Sequence, residues 1–114
     1  MSSAGELAER LAERYLENAG LKRVARNFRC RMGEIDLIMQ DGSYLVFIEV
    51  RLRKRQEFGG AAASIHRQKQ QRIVRAAQHY LATLARTPPC RFDVVLLDAL
   101  EDARIDWIRS AFDA

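Results

Sequence analysis

The sequence predicts one α/β domain in which a central mixed β-sheet is flanked by helices, and three observations support this prediction. The chain has 114 residues, which is the size of a single domain, 1–114. Runs with helical spacing of apolar residues alternate with short β-rich runs in the order α-β-β-β-α-β-β. The composition is 48% hydrophobic and 30% charged, as in globular proteins rather than disordered chains.

The first helix is predicted from a capping box at its start. Ser3 and Glu6 fit the S-x-x-E pattern, in which the two side chains satisfy free backbone N–H groups. Apolar residues then recur at helical spacing as far as Gly20, a residue that commonly ends helices. The segment 21–28 that follows favours a first strand.

A hairpin and a second helix occupy the middle of the chain. Two β-rich runs, 34–40 and 44–51, are separated by Asp41-Gly42-Ser43, which is typical of a turn. The glycine- and alanine-rich segment 56–63 predicts a loop. Ser64 is the predicted cap of a second helix that extends to about Arg86 and is ended by two prolines.

Two strands are predicted near the end of the chain. Residues 92–97 are almost wholly apolar, which is typical of a strand covered on both faces. Residues 105–108 predict a short last strand, followed by a helical turn through Phe112.

Composition also limits where the protein acts. No apolar run approaches the ~18 residues needed to cross a bilayer, and the first residues have acidic charges where a signal peptide has an apolar core. Cys30 and Cys90 lack metal-ligand spacing, so a reduced cytoplasmic chain without disulfides is expected.

The basic residues are concentrated in one part of the chain. The formal net charge is only +4, but residues 51–75 contain eight basic residues and one acidic residue, a net +7. The other residues contain eleven basic and fourteen acidic residues, a net −3. An anionic partner is therefore expected to meet the 51–75 stretch.

Two carboxylates of the hairpin are placed where a core is expected. Alternation puts Asp36 on the strand face opposite Ile35, Leu37 and Met39, and the hairpin brings it close in register to Glu49, with Arg51 beside them. A hard divalent ion such as Mg²⁺ would keep such carboxylates ionised. The alternative is an ordinary ion pair of Glu49 with Arg51 or Arg29, and a solvated Asp36.

The second helix presents a polar arc that includes three arginines, Arg67, Arg72 and Arg75. This face suits a nucleic-acid backbone, although an ordinary solvated surface explains it as well. Lys69 falls at the boundary of the buried face. Its ammonium group either extends outward to solvent or points over the sheet toward Asp36 and Glu49.

These residues together resemble a known family. GEIDLI (33–38) followed by VFIEVR (46–51) is similar to the metal-binding core of the PD-(D/E)XK nucleases. The whole chain resembles more closely the YraN-type bacterial proteins, which are thought to be related to archaeal Holliday-junction resolvases. The resemblance extends from residues 5–20 through Asn27 and Arg29 to Lys69, Arg72, AAQHYL, RFDVV and WIRSAF. It implies a restriction-endonuclease-like fold.

The resemblance also implies roles for particular residues. Asp36 and Glu49 match the two metal-binding acidic positions, and Glu6 matches an acidic residue that resolvases add from their first helix. Arg51 stands where the family usually has lysine; arginine keeps its charge and can only donate hydrogen bonds. Lys69 is the candidate for the missing ammonium group. Phosphate contacts are expected from Arg53, Lys54, Arg55, Arg67, Arg72 and Arg75.

The function that follows is a Mg²⁺- or Mn²⁺-dependent endonuclease acting on DNA, including branched or recombination intermediates. A homodimer is compatible with the resemblance, because resolvases cut symmetrically, although the sequence shows no interface. One alternative is a nucleic-acid-binding module with a degraded nuclease site. Another is an interaction protein whose basic stretch docks an acidic protein.

Overall fold

The computed structural model describes residues 3–52, 65–98, 100 and 104–114, which form a five-stranded sheet with a helix on each face. The predicted loop at 56–63 and the predicted cap Ser64 lie outside these residues. The α-β-β-β-α-β-β order agrees with the prediction. The elements are α1 (Ala4–Asn18), β1 (Lys22–Cys30), β2 (Gly33–Asp41), β3 (Tyr44–Leu52), α2 (Arg67–Leu81), β4 (Cys90–Leu97) and β5 (Ile105–Phe112).

The strands lie in the sheet in their sequence order, β1-β2-β3-β4-β5. β3 and β4 are parallel, and the other three neighbouring pairs are antiparallel. The predicted mixed sheet is therefore confirmed. Parallel neighbours need a long crossover, and the connection between β3 and β4 contains α2. None of the helices described is long and apolar enough to cross a membrane.

α1 covers one face of the sheet. The hydroxyl of Ser3 accepts a hydrogen bond of 3.1 Å from the backbone N–H of Glu6, so the predicted helix start is confirmed. Three side chains of α1 on one helical side, Ala8, Ala12 and Leu16, are buried against six sheet residues: Leu37, Met39, Val46, Ile48, Val95 and Leu97.

α2 covers the opposite face with Ile73, Ala76 and Ala77, which pack on five buried sheet residues, Ile35, Ile38, Leu45, Phe47 and Phe92. The predicted alternation of β2 is wrong in one place. Ile35 packs with Ile38 under α2, whereas the pattern placed it with Leu37 and Met39. Regular alternation therefore fails between Ile35 and Leu37, the interval that contains Asp36.

The second helix is shorter than predicted. It begins at Arg67 after the extended residue His66 and ends at Leu81 instead of Arg86. Thr83 explains the early end, because its hydroxyl and its backbone N–H both donate to the carbonyl of Tyr80, at 2.7 and 3.0 Å. Local side-chain bonds of this kind compete with the regular helical ladder.

The predicted helical turn through Phe112 is also wrong, since β5 continues to that residue. Phe112 pairs with Phe92 of β4 and stacks on it, with 5.1 Å between ring centroids. β5 is also bound to β4 next to Phe92, because the backbone N–H of Ser110 donates to the fully buried carboxylate of Asp93 at 3.0 Å. These contacts join residues distant in sequence, so local pattern did not reveal them.

Asp93 is the centre of a polar network within β4 and β5. Its carboxylate also accepts hydrogen bonds from Arg91 at 3.2 Å and from the indole N–H of Trp107 at 2.9 Å. Arg91 in turn donates to Asp41 at 2.8 Å. A buried charge with this many partners fixes the packing of β4 against β5.

Gly33 allows the turn between β1 and β2 to touch α2. A Cβ atom at this position would lie 3.2 Å from the backbone oxygen of Arg72 and 3.3 Å from its Cβ, and the φ angle is +156°. Any larger residue would push the turn and the helix apart.

We expect Gly33→Ala to lower the free energy of unfolding by about 1–3 kcal/mol, because the methyl group has no room and the φ angle is unfavourable. Gly5→Ala in α1 is the matched control. A Cβ there would meet only the Ser3 hydroxyl at 3.8 Å, so the change should be neutral or stabilising. Urea denaturation measures both variants, and a Gly33→Ala protein as stable as wild type would contradict the close approach.

Candidate functional site

The structure brings Asp36 and Glu49 together, as the hairpin register predicted. The regular pairing of β2 with β3 extends from Asp41–Tyr44 to Leu37–Ile48, and Asp36 and Glu49 are the next residues on each strand. Their exposed fractions are only 8% and 6%. The alternative in which Asp36 is solvated is therefore wrong, and two carboxyl groups meet where both have lost most of their water.

Burial of Asp36 next to Glu49 changes its protonation. The backbone N–H of Val50 donates to Oδ2 of Asp36 at 2.8 Å, and the two carboxyl groups hydrogen-bond to each other. Burial, followed by the bond and the charge of Glu49, raises the pKa of Asp36 to about 9. Asp36 therefore keeps its proton near neutral pH, beside the carboxylate of Glu49.

Lys69 supplies the positive charge of the site from α2. Its Nζ lies 2.8 Å from Oε2 of Glu49, and its own side chain is 51% exposed. Oε2 is buried and has no hydrogen-bond partner, so the contact is an ion pair without hydrogen-bond geometry. Lys69 thus points at the acidic pair. Arg29, an alternative partner of Glu49, instead contacts Glu34 at 3.2 Å.

Glu9 of α1 is a third carboxylate near the site, and sequence reasoning missed it. Its charge is among the causes that raise the pKa of Asp36. The pKa of Glu9 is itself raised, chiefly by burial, while a hydrogen bond from Asn27 lowers it. The available signal was helical spacing, because Glu9 lies one turn after Glu6 and one turn before the buried Glu13.

Asn27 explains how the strand next to Asp36 departs from regular geometry. Arg26 pairs with Leu37 and Phe28 with Ile35, so Asn27 lies opposite Asp36. Its φ angle is +50°, in the left-handed region that asparagine tolerates better than most residues. The irregular residue therefore lies between Glu9 and Asp36, where the side-chain alternation of β2 fails.

Two other predicted site residues, Glu6 and Arg51, are described by the structure in other surroundings. Glu6 is exposed and contacts the hydroxyl of Ser3 at 3.3 Å, so the structure shows it in the helix cap. Arg51 is half-buried and faces Leu96 in the register of β3 with β4. Among the residues that the structure describes, the cation in ion-pair contact with Glu49 is Lys69.

The acidic pair fits a hard divalent ion in its donor chemistry. Oε2 of Glu49 is a buried oxygen without a hydrogen bond, and the adjacent Asp36 supplies a second carboxylate. Mg²⁺ is usually held by one or two carboxylates, with water and substrate oxygens completing its shell. Within the described ranges, no three His, Cys, Asp or Glu residues are grouped so as to hold a metal alone. An ion here would need oxygens from water or substrate.

The predicted phosphate contacts divide into two sets. Arg67, Arg72 and Arg75 are exposed on α2. Arg67 and Arg75 line a cleft of about 370 Å³ together with Gln70, Gln71, Val74, Gln78, Asp113 and Ala114. Arg53, Lys54 and Arg55 lie outside the described residues.

The fold and site define a class of small α/β protein with an acidic pair held between two helices on a mixed sheet. The chain belongs to the Uncharacterised protein family UPF0102, whose model matches residues 8–97. The resemblance to the YraN-type proteins is thereby confirmed.

Relatives from several bacteria share most of the chain. The UPF0102 protein of Nitrosospira multiformis is 56% identical over 109 residues, which cover 96% of this chain and 92% of the relative. That of Methylobacillus flagellatus is 51% identical over the full length of both chains, 114 residues. That of Cupriavidus taiwanensis is 59% identical over 96% of this chain and 82% of its own.

We expect the metal-free protein to lose stability as the pH rises from about 4 toward 9. Over this interval Asp36 keeps a proton in the folded state that it has released in the unfolded chain, so stability falls by up to about 1.4 kcal/mol per pH unit. Asp36→Asn should flatten this dependence.

Urea denaturation at several pH values in the presence of a chelator measures the effect. Glu17→Gln, which changes an exposed carboxylate of α1, is the control and should keep the wild-type slope. A wild-type slope in Asp36→Asn would show that Asp36 does not hold the proton.

Proposed function

We propose that this protein is a Mg²⁺- or Mn²⁺-dependent endonuclease acting on DNA, with the restriction-endonuclease-like fold and a relationship to the Holliday-junction resolvases. One observation carries the proposal. Two buried carboxyl groups, Asp36 and Glu49, are in contact at the end of their strand pairing, and a lysine lies 2.8 Å from an oxygen that has no hydrogen bond. Such buried carboxyl groups do not stabilise a hydrophobic core, because their burial costs free energy. A metal-dependent site, in contrast, uses them as ligands.

Asp36 and Glu49 would hold the ion. When bound, a divalent ion lowers the pKa of a water molecule and stabilises negative charge on a phosphodiester. The proton of Asp36 must leave before both carboxylates can bind an ion, so metal affinity should rise with pH. Glu9 replaces Glu6 in this scheme as the α1 carboxylate that would contact metal-bound water.

Lys69 and Arg51 would act on the reacting phosphate. In hydrolysis a water oxygen attacks phosphorus, the bond to the leaving oxygen breaks, and that oxygen takes up a proton. The ammonium group of Lys69 is held at the pair by Glu49 and is half exposed, so it can reach a phosphate or orient the water. Arg51 stays charged and would stabilise the extra negative charge of the transition state.

The substrate proposal depends on charge. Arg67, Arg72 and Arg75 are exposed on the helix that also carries Lys69. A nucleic-acid backbone on this helix would therefore pass the acidic pair. Each phosphate contact of this kind makes binding weaker as salt is raised.

The second candidate is a nucleic-acid-binding module without catalysis. Arg51 favours it, because arginine cannot serve as a proton acceptor at the position of the motif lysine. The two candidates differ in their response to metal. Salt-sensitive DNA binding without cleavage of any substrate would support the binding module.

We expect Mn²⁺-dependent cleavage in a panel of duplex, single-stranded and four-way-junction DNA. Asp36→Asn and Glu49→Gln should each reduce the rate at least about 100-fold, because direct metal ligands matter at least as much as their supporting partners. Glu17→Gln on the exposed side of α1 is the control.

Metal binding can be followed without activity. Mn²⁺ should raise the melting temperature of the wild-type protein, and Asp36→Asn should abolish the shift. Cleavage that persists unchanged in both acidic variants would show that the site lies elsewhere.

We expect Lys69→Met to reduce cleavage about 10²–10³-fold, the usual cost of losing one group that stabilises developing charge. Methionine keeps the length of the side chain without its ammonium group. Arg51→Lys tests the departure from the family pattern and should keep or raise the rate. If Lys69→Met cleaves like wild type while Arg51→Met does not, the roles given to the two residues are reversed.

A further inference from the structure

The turn between β1 and β2 exposes an apolar side chain. Cys30 and Gly33 form the last pair of the two strands, so Arg31 and Met32 make up the turn. Met32 is 51% exposed, more than any other large hydrophobic residue in the described part of the chain. A single exposed methionine needs no explanation on most surfaces, but this one has unusual surroundings.

The turn is fixed in place. Gly33 lies against the backbone of Arg72 on α2, where even a Cβ atom would come within 3.2 Å. A two-residue turn between paired strands, supported by a helix, has little freedom to move. Met32 is therefore presented on a rigid base.

This rigid base lies beside the acidic pair. Gly33 is three residues from Asp36 along β2, a distance of about 10 Å at the usual rise of a strand. On α2, Arg72 follows Lys69 by one helical turn, and Lys69 contacts Glu49. The turn and the site are thus connected by both elements.

Cationic side chains belong to the turn and to the helix behind it. Arg31 precedes Met32 in the turn, and Arg72 lies against Gly33 from α2; both are exposed, while Arg29 is paired with Glu34 at 3.2 Å. A second copy of this chain would bring the same positive charges face to face, which opposes association through this surface. A partner with negative charges around an apolar part suits the surface better. DNA is such a partner, because its phosphates are anionic and the faces of its stacked bases are apolar.

We propose that Met32 is a wedge that enters between neighbouring bases of DNA, while Arg31 and Arg72 contact the flanking phosphates. Methionine is one of the side chains that proteins insert between base steps to unstack and bend DNA. The proposal rests on the proposed function for its partner, DNA. It adds that the protein opens the helix close to the phosphate that the acidic pair would act on.

The wedge has a consequence for substrate choice. Unstacking costs least where stacking is already interrupted, as at a junction, a nick or a mismatch. The protein should therefore prefer such DNA to continuous duplex. Loss of the wedge should weaken binding to continuous duplex more than binding to DNA that is already interrupted.

The test uses the full chain with chelator present, so that no DNA is cut, and duplexes with 2-aminopurine at successive positions. Wild-type protein should raise the fluorescence at one base step several-fold, and Met32→Ala should remove most of this rise. Met32→Leu should retain it, because leucine keeps the apolar volume. Val24→Ala, which trims an exposed apolar residue of β1 away from the turn, is the matched control and should behave as wild type.

Circular dichroism and melting temperature confirm that the variants fold. A fluorescence rise that is the same in wild type and Met32→Ala would overturn the wedge, even if metal-dependent cleavage is observed. A rise that depends on Met32 would support it even if no substrate is cut, in which case only the catalytic proposal fails. Failure of the wild-type protein to bind DNA would overturn both.

Discussion

The contact between Asp36 and Glu49 is the constraint on which the rest of the site depends. Two carboxyl groups that share a buried position cannot both be ionised without a cation, because the interior screens their repulsion poorly. Here the constraint is met by a proton on Asp36, whose pKa is raised to about 9, and by the ammonium group of Lys69 beside Glu49. Both solutions leave Oε2 of Glu49 without a hydrogen bond. This oxygen therefore remains available as a ligand for an ion whose other ligands would come from water or substrate.

A comparison among the buried acidic residues shows why this pair stands out. Glu13 receives two hydrogen bonds from Arg26, at 2.6 and 2.8 Å, and its pKa is lowered, first by that bonding. Asp93 is bonded by Arg91, Trp107 and the backbone of Ser110. These two groups have full sets of partners and hold α1 on β1 and β4 on β5. In contrast, the pKa of Asp36 is raised, the direction expected of a group whose charge is not compensated.

The same two helices that enclose the site also determine what can approach it. α1 brings Glu9 to one side, where Asn27 of β1 hydrogen-bonds to it. α2 brings Lys69 to the pair and presents its arginines to solvent. Behind the modest net charge of +4 lies an uneven placement: Asp36 and Glu49 are buried, whereas Arg67, Arg72 and Arg75 are exposed on α2.

The sequence by itself determined the order of the elements and the meeting of Asp36 with Glu49, because these follow from local periodicity and from a hairpin register set by a short turn. It also placed Lys69 at the edge of the buried face of α2. The sequence pattern did not predict where α2 ends. That end depends on the hydrogen bond from the Thr83 hydroxyl, which the spacing of apolar residues does not reveal.

Only the tertiary structure decided which neighbours complete the site. Glu9 and Glu6 both fit the helix, and the packing of α1 over Asn27 selects Glu9. Lys69 had two possible directions, and the position of α2 over β3 selects Glu49. The last strand extends to Phe112 because Phe92 and Asp93 bind it from β4. In each case the deciding contact joins residues far apart in sequence, where local propensity carries no information.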